Sequence, residues 1–366
     1  MKRYPAFDPP EYIDWRADPE LVREFGERVR SDAARAAIVD ALSEAQLLAL
    51  YEGMLRNRLH DIALKRWVRG GVISKAWLGT GEEAATIGAV HALDRARDIV
   101  SPMIRNAGAC HEMGMSLESM LHGYLGTADS PSGGTDLHIG DLAHGVLPPI
   151  SPVGDTIPVV TGIALSFLQR AEPRVVLAWI GDGSTKTAAF HEGVNLAAVQ
   201  RVPAIFVIQN NQVALGTRLE QHGAGPLNEW SRMYGVPGLE ADGNNVLDVF
   251  AATRLAADAC RAGRGPVIML VETFRMGGHA THDEREARDT FAAELFAHWG
   301  RRDPIGLYEA WLEQRGVARE RLESIESRVT EEVESAAERA RARREVMPVP
   351  AGERQPGLSA RLGGLG

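Results

Sequence analysis

Apolar positions are sparse over the first 42 residues, where prolines at 5, 9, 10 and 19 surround a charged helical stretch. That pattern predicts an N-terminal arm, 1–42, that needs another surface to pack on. From Ser43 the apolar residues recur at helical spacing (Leu47, Leu48, Leu50, Tyr51, Met54, Leu55, Leu59, Ile62, Ala63), predicting a helix to about Arg69. A second helix is predicted over Gly81–Leu93, where Glu82 and Glu83 suit the positive end of its dipole. Val159–Leu168 reads as a buried helix, Arg174–Ile180 (RVVLAWI) as a buried strand and Phe190–Gln200 as a short helix. Ala204–Gln209 (AIFVIQ) reads as a strand, Val246–Ala262 as a helix and Pro266–Glu272 (PVIMLVE) as a third strand. Continuous apolar strands separated by helices predict an α/β fold, a parallel sheet flanked by helices on both faces. This α/β domain is expected over 43–315. A charged helix after Arg319 and a Pro/Gly-rich tail from Pro348 make up 316–366.

The 34 residues from Leu125 to Pro158 break this alternation. They hold 11 glycines and prolines, interleaved with Asp129, Asp136, His138, Asp141, His144 and Asp155. So long an irregular stretch inside a compact domain is functional or disordered, and its scattered Leu, Ile and Val favour an ordered binding loop.

Composition removes several classes of function. With 40 Lys+Arg against 49 Asp+Glu the chain carries −9, which argues against nonspecific nucleic-acid binding. No apolar run approaches the roughly 20 residues that cross a bilayer, so no membrane partner is expected. Charges rather than an apolar core follow Met1, unlike a signal peptide. Cys110 and Cys260 are too few for a disulfide framework or a cysteine-built metal site. A cytoplasmic protein is expected.

Two strand ends carry the candidate chemistry. Strand 174–180 runs into Gly181-Asp182-Gly183, and strand 204–209 into Asn210-Asn211. The 26 residues from Ser184 to Gln209 suffice for a turn, a helix and a return strand, so a right-handed crossover brings both ends to one carboxyl edge. Open α/β sheets bind ligands along that edge. Asp-Gly is an ordinary turn and Asn-Asn commonly ends strands, but the two together offer more. Asp182 supplies a carboxylate, Asn211 a neutral carbonyl oxygen and the backbone at Val213 a third oxygen, a donor set suited to Mg²⁺. Gly181 and Gly183 let the backbone approach a phosphate.

The stretch GDGSTKTAAFHEGVNLAAVQRVPAIFVIQNNQVALGT (181–217) resembles the thiamin-diphosphate motif of the alpha subunit of the decarboxylating component of 2-oxo acid dehydrogenase complexes. ISKAWLGTGEEAATIGAVHAL (73–93), SPMIRNAGA (101–109), ISPVGDTIP (150–158), YGVPGLEADGNNVLDV (234–249), ETFRMGGHATHDE (272–284) and RRDPIGLYEAWL (301–312) follow in the same order. The resemblance spans roughly 45–315 and implies a thiamin-diphosphate-binding fold.

It also implies roles. Asp182 and Asn211 would hold Mg²⁺ by side chain and Val213 by its carbonyl. Gly181, Gly183 and Ser184 would meet the diphosphate, and Arg105 would pair with it through its planar fork. Ser151, Val153 and Ile157 would contact the two cofactor rings, Val153 as the wedge between them. His279 would sit near the diphosphate and assist proton transfers, with Arg275 and Asp283 bracing its loop; His138 and His144 would order their loop or touch substrate. The resemblance further implies two alpha and two beta chains, the aminopyrimidine-protonating glutamate coming from the beta chain. A lipoyl arm on a second enzyme, an acyltransferase core, would take the acyl group.

Some positions depart from the family. Ile104 and Val213 stand where tyrosines are common, Gly278 where a histidine is usual, Ala280 where eukaryotic relatives carry a phosphorylated serine, and Arg288-Asp289 where a Tyr-Arg pair is expected. The expected activity is oxidative decarboxylation of pyruvate or a branched-chain 2-oxo acid. An acetoin-type alpha subunit and a catalytically impaired scaffold subunit are the alternatives. A nicotinamide-binding domain is excluded by the absence of a spaced glycine fingerprint after the first strand.

Overall fold

The computed structural model describes residues 1–346; the tail expected from Pro348 lies outside the described residues. Among the described residues seven strands form in chain order: β1 (Ile99–Ser101), β2 (Val176–Gly181), β3 (Ala204–Asn210), β4 (Val213–Ala214), β5 (Thr217–Arg218), β6 (Gly238–Asp242) and β7 (Val267–Glu272). Five of them make a wholly parallel sheet in the order β1-β2-β3-β7-β6, and β4 and β5 form a small antiparallel hairpin.

The continuous apolar runs are explained by the two covered faces of this sheet. Along β2, Val176, Ala178 and Ile180 join Phe206, Ile208 and Ile268 in one buried cluster under the helices Thr156–Gln169 and Ala188–Gln200. Leu177 and Trp179 point the other way, joining Ile205, Val207 and Met269 under Glu83–His91 and Val246–Arg261. Successive side chains alternate across a strand, so burial on both faces demands apolar residues at every position.

Local signals set the helix starts. Ser43 and Gln46 form a capping box at the head of Glu44–Arg69, and the Asn245 side chain accepts from the backbone of Leu247 and Asp248 at the next long helix. In the charged helix Arg319–Val346, Leu322, Ile325, Val329, Val333, Ala336 and Ala340 repeat at three- and four-residue intervals. That stripe packs on the same core as Glu44–Arg69.

The N-terminal arm is now placed, and one helix expectation needs correction. The arm finds its surface within its own chain: Leu21, Val22, Phe25 and Val29 are buried, with Phe25 6.0 Å from the Tyr308 ring and 6.1 Å from that of Trp311. The helix expected to be buried at Val159–Leu168 is Thr156–Gln169, and it is amphipathic only in placement. Its inner side holds Ile157, Val160, Ala164 and Phe167, while Val159 and Leu168 lie exposed. No described helix is long and apolar enough to cross a membrane.

Candidate functional site

Segments that follow β1, β2, β3 and β7 converge at the carboxyl edge of the sheet around a cleft of about 620 Å³. Arg105, Ser151, Val153, Gly181, Asp182, Gly183, Ser184, Val213 and His279, all predicted from the sequence, line it together. Two predicted residues do not. Asn211 is fully buried next to the lining residue Val213, and Ile157 is turned into the core, in contact with the place a Gly193 side chain would occupy.

The crossover is the predicted one. β2 delivers Asp182 at its end, a short 3₁₀ turn covers Gly183–Lys186, and Thr187 caps Ala188–Gln200 by accepting from the Phe190 N–H. A Cβ on Gly183 would lie 2.5 Å from that of Ala214, so only glycine lets the β2 loop approach the loop after β3 this closely. Gly154, with φ of +85°, makes the corresponding turn in the long loop.

Glu82, expected only to suit the helix dipole, is the hub of the site. It is 1% exposed; its Oε1 accepts from Gln209 Nε2 at 2.6 Å and from Asn211 Nδ2 at 3.0 Å. Its Oε2 lies 3.0 Å from Arg105 Nε, without a directed hydrogen bond. Donating its amide nitrogen to Glu82 turns the Asn211 Oδ1 away, where it meets only the Val213 N–H at 3.3 Å. Glu83, the other carboxylate of that first turn, is fully buried against the Arg58 guanidinium, with Asp303 on the far side of the same arginine. Long-range partners, rather than the helix dipole, take both carboxylates.

Charge is unevenly satisfied here. Burial raises Asp182 above the usual carboxylate range although Arg105 and His222 oppose the shift; His222 Nε2 lies 3.1 Å from its Oδ2. Nothing in the sequence pattern singles out His222. Arg275 is nearly buried, bonding the carbonyls of Gly277 at 3.2 Å and Leu215 at 3.1 Å, and burial beside Arg105 pushes it down to about 10. His279 is pushed down to about 4 by burial and by the same two arginines. With its charged form disfavoured in this cleft, the His279 imidazole offers one ring N–H as a donor and the other nitrogen as an acceptor.

Asp283 Oδ1 accepts from the Ala280 N–H at 2.9 Å, so Arg275 and Asp283 do brace the His279 loop. The same carboxylate occupies the space that a side chain on Gly278 would need, which accounts for glycine at that position. His138 lines the cleft, whereas His144 pairs with its neighbour Asp141 at 2.7 Å at the surface of the loop.

An Asp–Asn pair, two arginines and glycine-lined strand ends thus meet at the carboxyl edge of a parallel α/β sheet, the edge along which such sheets bind ligands. Comparisons with known proteins agree. Residues 51–349 match the dehydrogenase E1 component family. The chain is 30% identical over 307 residues to the 2-oxoisovalerate dehydrogenase subunit alpha of Bacillus subtilis, covering 81% of this chain and 92% of that one. It is 32% identical over 309 residues to the chloroplastic pyruvate dehydrogenase E1 component subunit alpha-3 of Arabidopsis thaliana, covering 81% and 71%. It is 30% identical over 312 residues to the pyruvate dehydrogenase E1 component subunit alpha of Staphylococcus aureus, covering 83% and 79%. The chain belongs to the dehydrogenase E1 component family, among the alpha subunits of 2-oxo acid dehydrogenases.

Proposed function

We propose that this chain binds Mg²⁺-thiamin diphosphate and, with a beta chain, oxidatively decarboxylates pyruvate or a branched-chain 2-oxo acid, passing the acyl group to a lipoyl domain. The observation that carries the reading is the convergence of nine residues from five separate segments on one cleft.

The donor chemistry fits. Asp182 is a buried carboxylate raised by desolvation, which a cation would relieve, and the Asn211 amide, its nitrogen donating to Glu82, keeps its oxygen as an acceptor. With the Val213 carbonyl these supply three hard oxygens. Arg105 and Arg275 are two crowded guanidiniums that a diphosphate would neutralise. Thiamin diphosphate supplies, when bound, the electron sink that lets a 2-oxo acid lose carbon dioxide.

The chain's own part is binding and orientation. Gly183 and Ser184 bring backbone close to the anion, Val153 stands 61% exposed at the cleft as an apolar wedge, and His279 offers a neutral imidazole beside the arginines. An anion drawing on Arg105 and Arg275 would lift the suppression of His279 and return it toward its ordinary range. Among the described residues, the acidic side chains lining the cleft are Asp136 and Asp182. Neither is the spare carboxylate an aminopyrimidine requires, which supports a beta-chain donor. Ile150, Val153 and Leu215 expose apolar surface at the same cleft, as expected of a surface that a partner covers.

The test is turnover. The chain co-purified with its beta partner should release carbon dioxide from a 2-oxo acid and reduce lipoyl acceptors, and the chain alone should do neither. A cofactor-loaded complex inert toward pyruvate, branched-chain 2-oxo acids and acetoin would overturn the reading.

A further inference from the structure

Asp182 is held by a residue that lies outside the 181–217 stretch. His222 closes the short helix Leu219–His222, just after the β4–β5 hairpin, and its Nε2 lies 3.1 Å from Asp182 Oδ2. The two side chains are 14% and 1% exposed. A carboxylate can only accept, so the hydrogen of this bond sits on Nε2. The loop that carries His222 is anchored at both ends of the helix. The Leu219 N–H donates to the Gln212 carbonyl at 3.1 Å, and the Gly223 N–H to the Leu219 carbonyl at 2.8 Å. Gln212 and Leu215 hold left-handed conformations, with φ of +69° and +56°. Residues other than glycine keep that conformation only where the surrounding structure fixes it.

We infer that His222 sets the cation preference of the site: by donating to Oδ2 it leaves Asp182 one oxygen, Oδ1, for a metal ion, and so favours Mg²⁺ over Ca²⁺. This rests on the function proposed above, which makes Asp182, Asn211 and the Val213 carbonyl the protein's donors to the metal. His222 is a positioning residue that acts through Asp182. Mg²⁺ demands a near-octahedral shell and keeps much of it for water and phosphate oxygens. Ca²⁺ takes a larger, less regular shell and accepts both oxygens of one carboxylate. A carboxylate with one oxygen already committed therefore suits the smaller ion.

The other donors are limited in the same way. Asn211 gives its amide nitrogen to Glu82 at 3.0 Å and has a single oxygen to offer, and Val213 has a single carbonyl. With His222 in place, each of the three residues presents one oxygen. Without it, Asp182 is free to turn both of its oxygens to the ion, which enlarges the shell the chain supplies. The Nδ1 of His222 is buried and makes no hydrogen bond, so among the described residues Asp182 is the ring's polar attachment.

Calorimetric titration of thiamin diphosphate into the complex with the beta chain, once in Mg²⁺ and once in Ca²⁺, reads the preference as a ratio of affinities. The wild-type complex should bind more tightly with Mg²⁺. His222→Leu and His222→Phe lack the donor and should shift the ratio toward Ca²⁺ by about fivefold or more. His222→Gln keeps an amide donor and should stay within about twofold of wild type. An unchanged or opposite ratio in the donorless variants, a shift shared by His222→Gln, or a wild-type complex that binds equally well with either ion would overturn the inference and leave the proposed function standing. Loss of binding with both ions in the donorless variants, or their failure to fold, would make His222 a structural residue and overturn it too. A wild-type complex that binds no cofactor with either ion would bring down both readings.

Discussion

Replacing Glu82 by alanine probes the hub of the site. Its carboxylate receives Gln209 Nε2 at 2.6 Å and Asn211 Nδ2 at 3.0 Å, and faces Arg105 Nε at 3.0 Å, all in a 1%-exposed position. Stranding a buried amide donor costs about 1 kcal/mol apiece. Removing one partner of a buried ion pair costs about 3 kcal/mol, the low end of the usual range because Arg105 keeps some solvent contact. The total is roughly 5 kcal/mol. With an unfolding entropy of about 2 cal/mol/K per residue, the melting temperature should fall by roughly 7 °C. Scanning calorimetry of Glu82→Ala, Arg105→Ala and the double variant measures both the loss and its source. The double variant should cost about 1–3 kcal/mol less than the sum of the singles, because the second change removes the stranded charge left by the first. Strict additivity, or a drop under about 1 °C, would refute the assignment of Glu82 as the shared acceptor. The same substitution frees the Asn211 amide to turn, so Mg²⁺ should improve thiamin diphosphate binding less than in wild type.

Further expectations concern neighbouring groups. Gly183→Ala places a Cβ 2.5 Å from that of Ala214 and should weaken cofactor binding at least tenfold; Ala214→Gly in the same chain should restore much of it, and failure of that rescue would show the close approach is not the cause. His279 is held at about 4 when folded against an ordinary 6.5, so the unfolded chain binds the extra proton between those values. Stability should therefore fall as pH drops from about 6.5 to 4, and His279→Gln should flatten that slope in denaturant titrations; an unaltered slope would contradict the suppressed histidine. Magnesium pyrophosphate should move the His279 NMR titration upward by neutralising Arg105 and Arg275, and no movement would mean the anion binds elsewhere.

What could be read from the sequence divides by range. β2, β3 and β7 are legible because a strand covered on both faces must be apolar throughout, and their chemistry-bearing ends follow directly in sequence. β1 is only three residues long, and the edge strand β6, Gly-Leu-Glu-Ala-Asp, buries little besides Ala241, so neither leaves an apolar run. Val159–Leu168 reads as buried from its composition, but composition does not say that Val159 and Leu168 face outward. The nine cleft residues were recognised because their motif is local. Glu82 was not, since its partners lie 23, 127 and 129 residues away and no periodicity connects them. His222 reaches Asp182 across 40 residues, with no motif of its own.

The central claim is a cation-dependent diphosphate site at the Asp182–Asn211 edge, and calorimetric titration of thiamin diphosphate with and without Mg²⁺ tests it most directly. The titration is run on the chain alone, on the chain co-purified with its beta partner, and on that complex carrying Asp182→Ala. Tight binding that requires Mg²⁺, appears in the wild-type complex and is lost in Asp182→Ala is the predicted result. Binding indifferent to Mg²⁺, or equal in wild type and Asp182→Ala, would contradict the account.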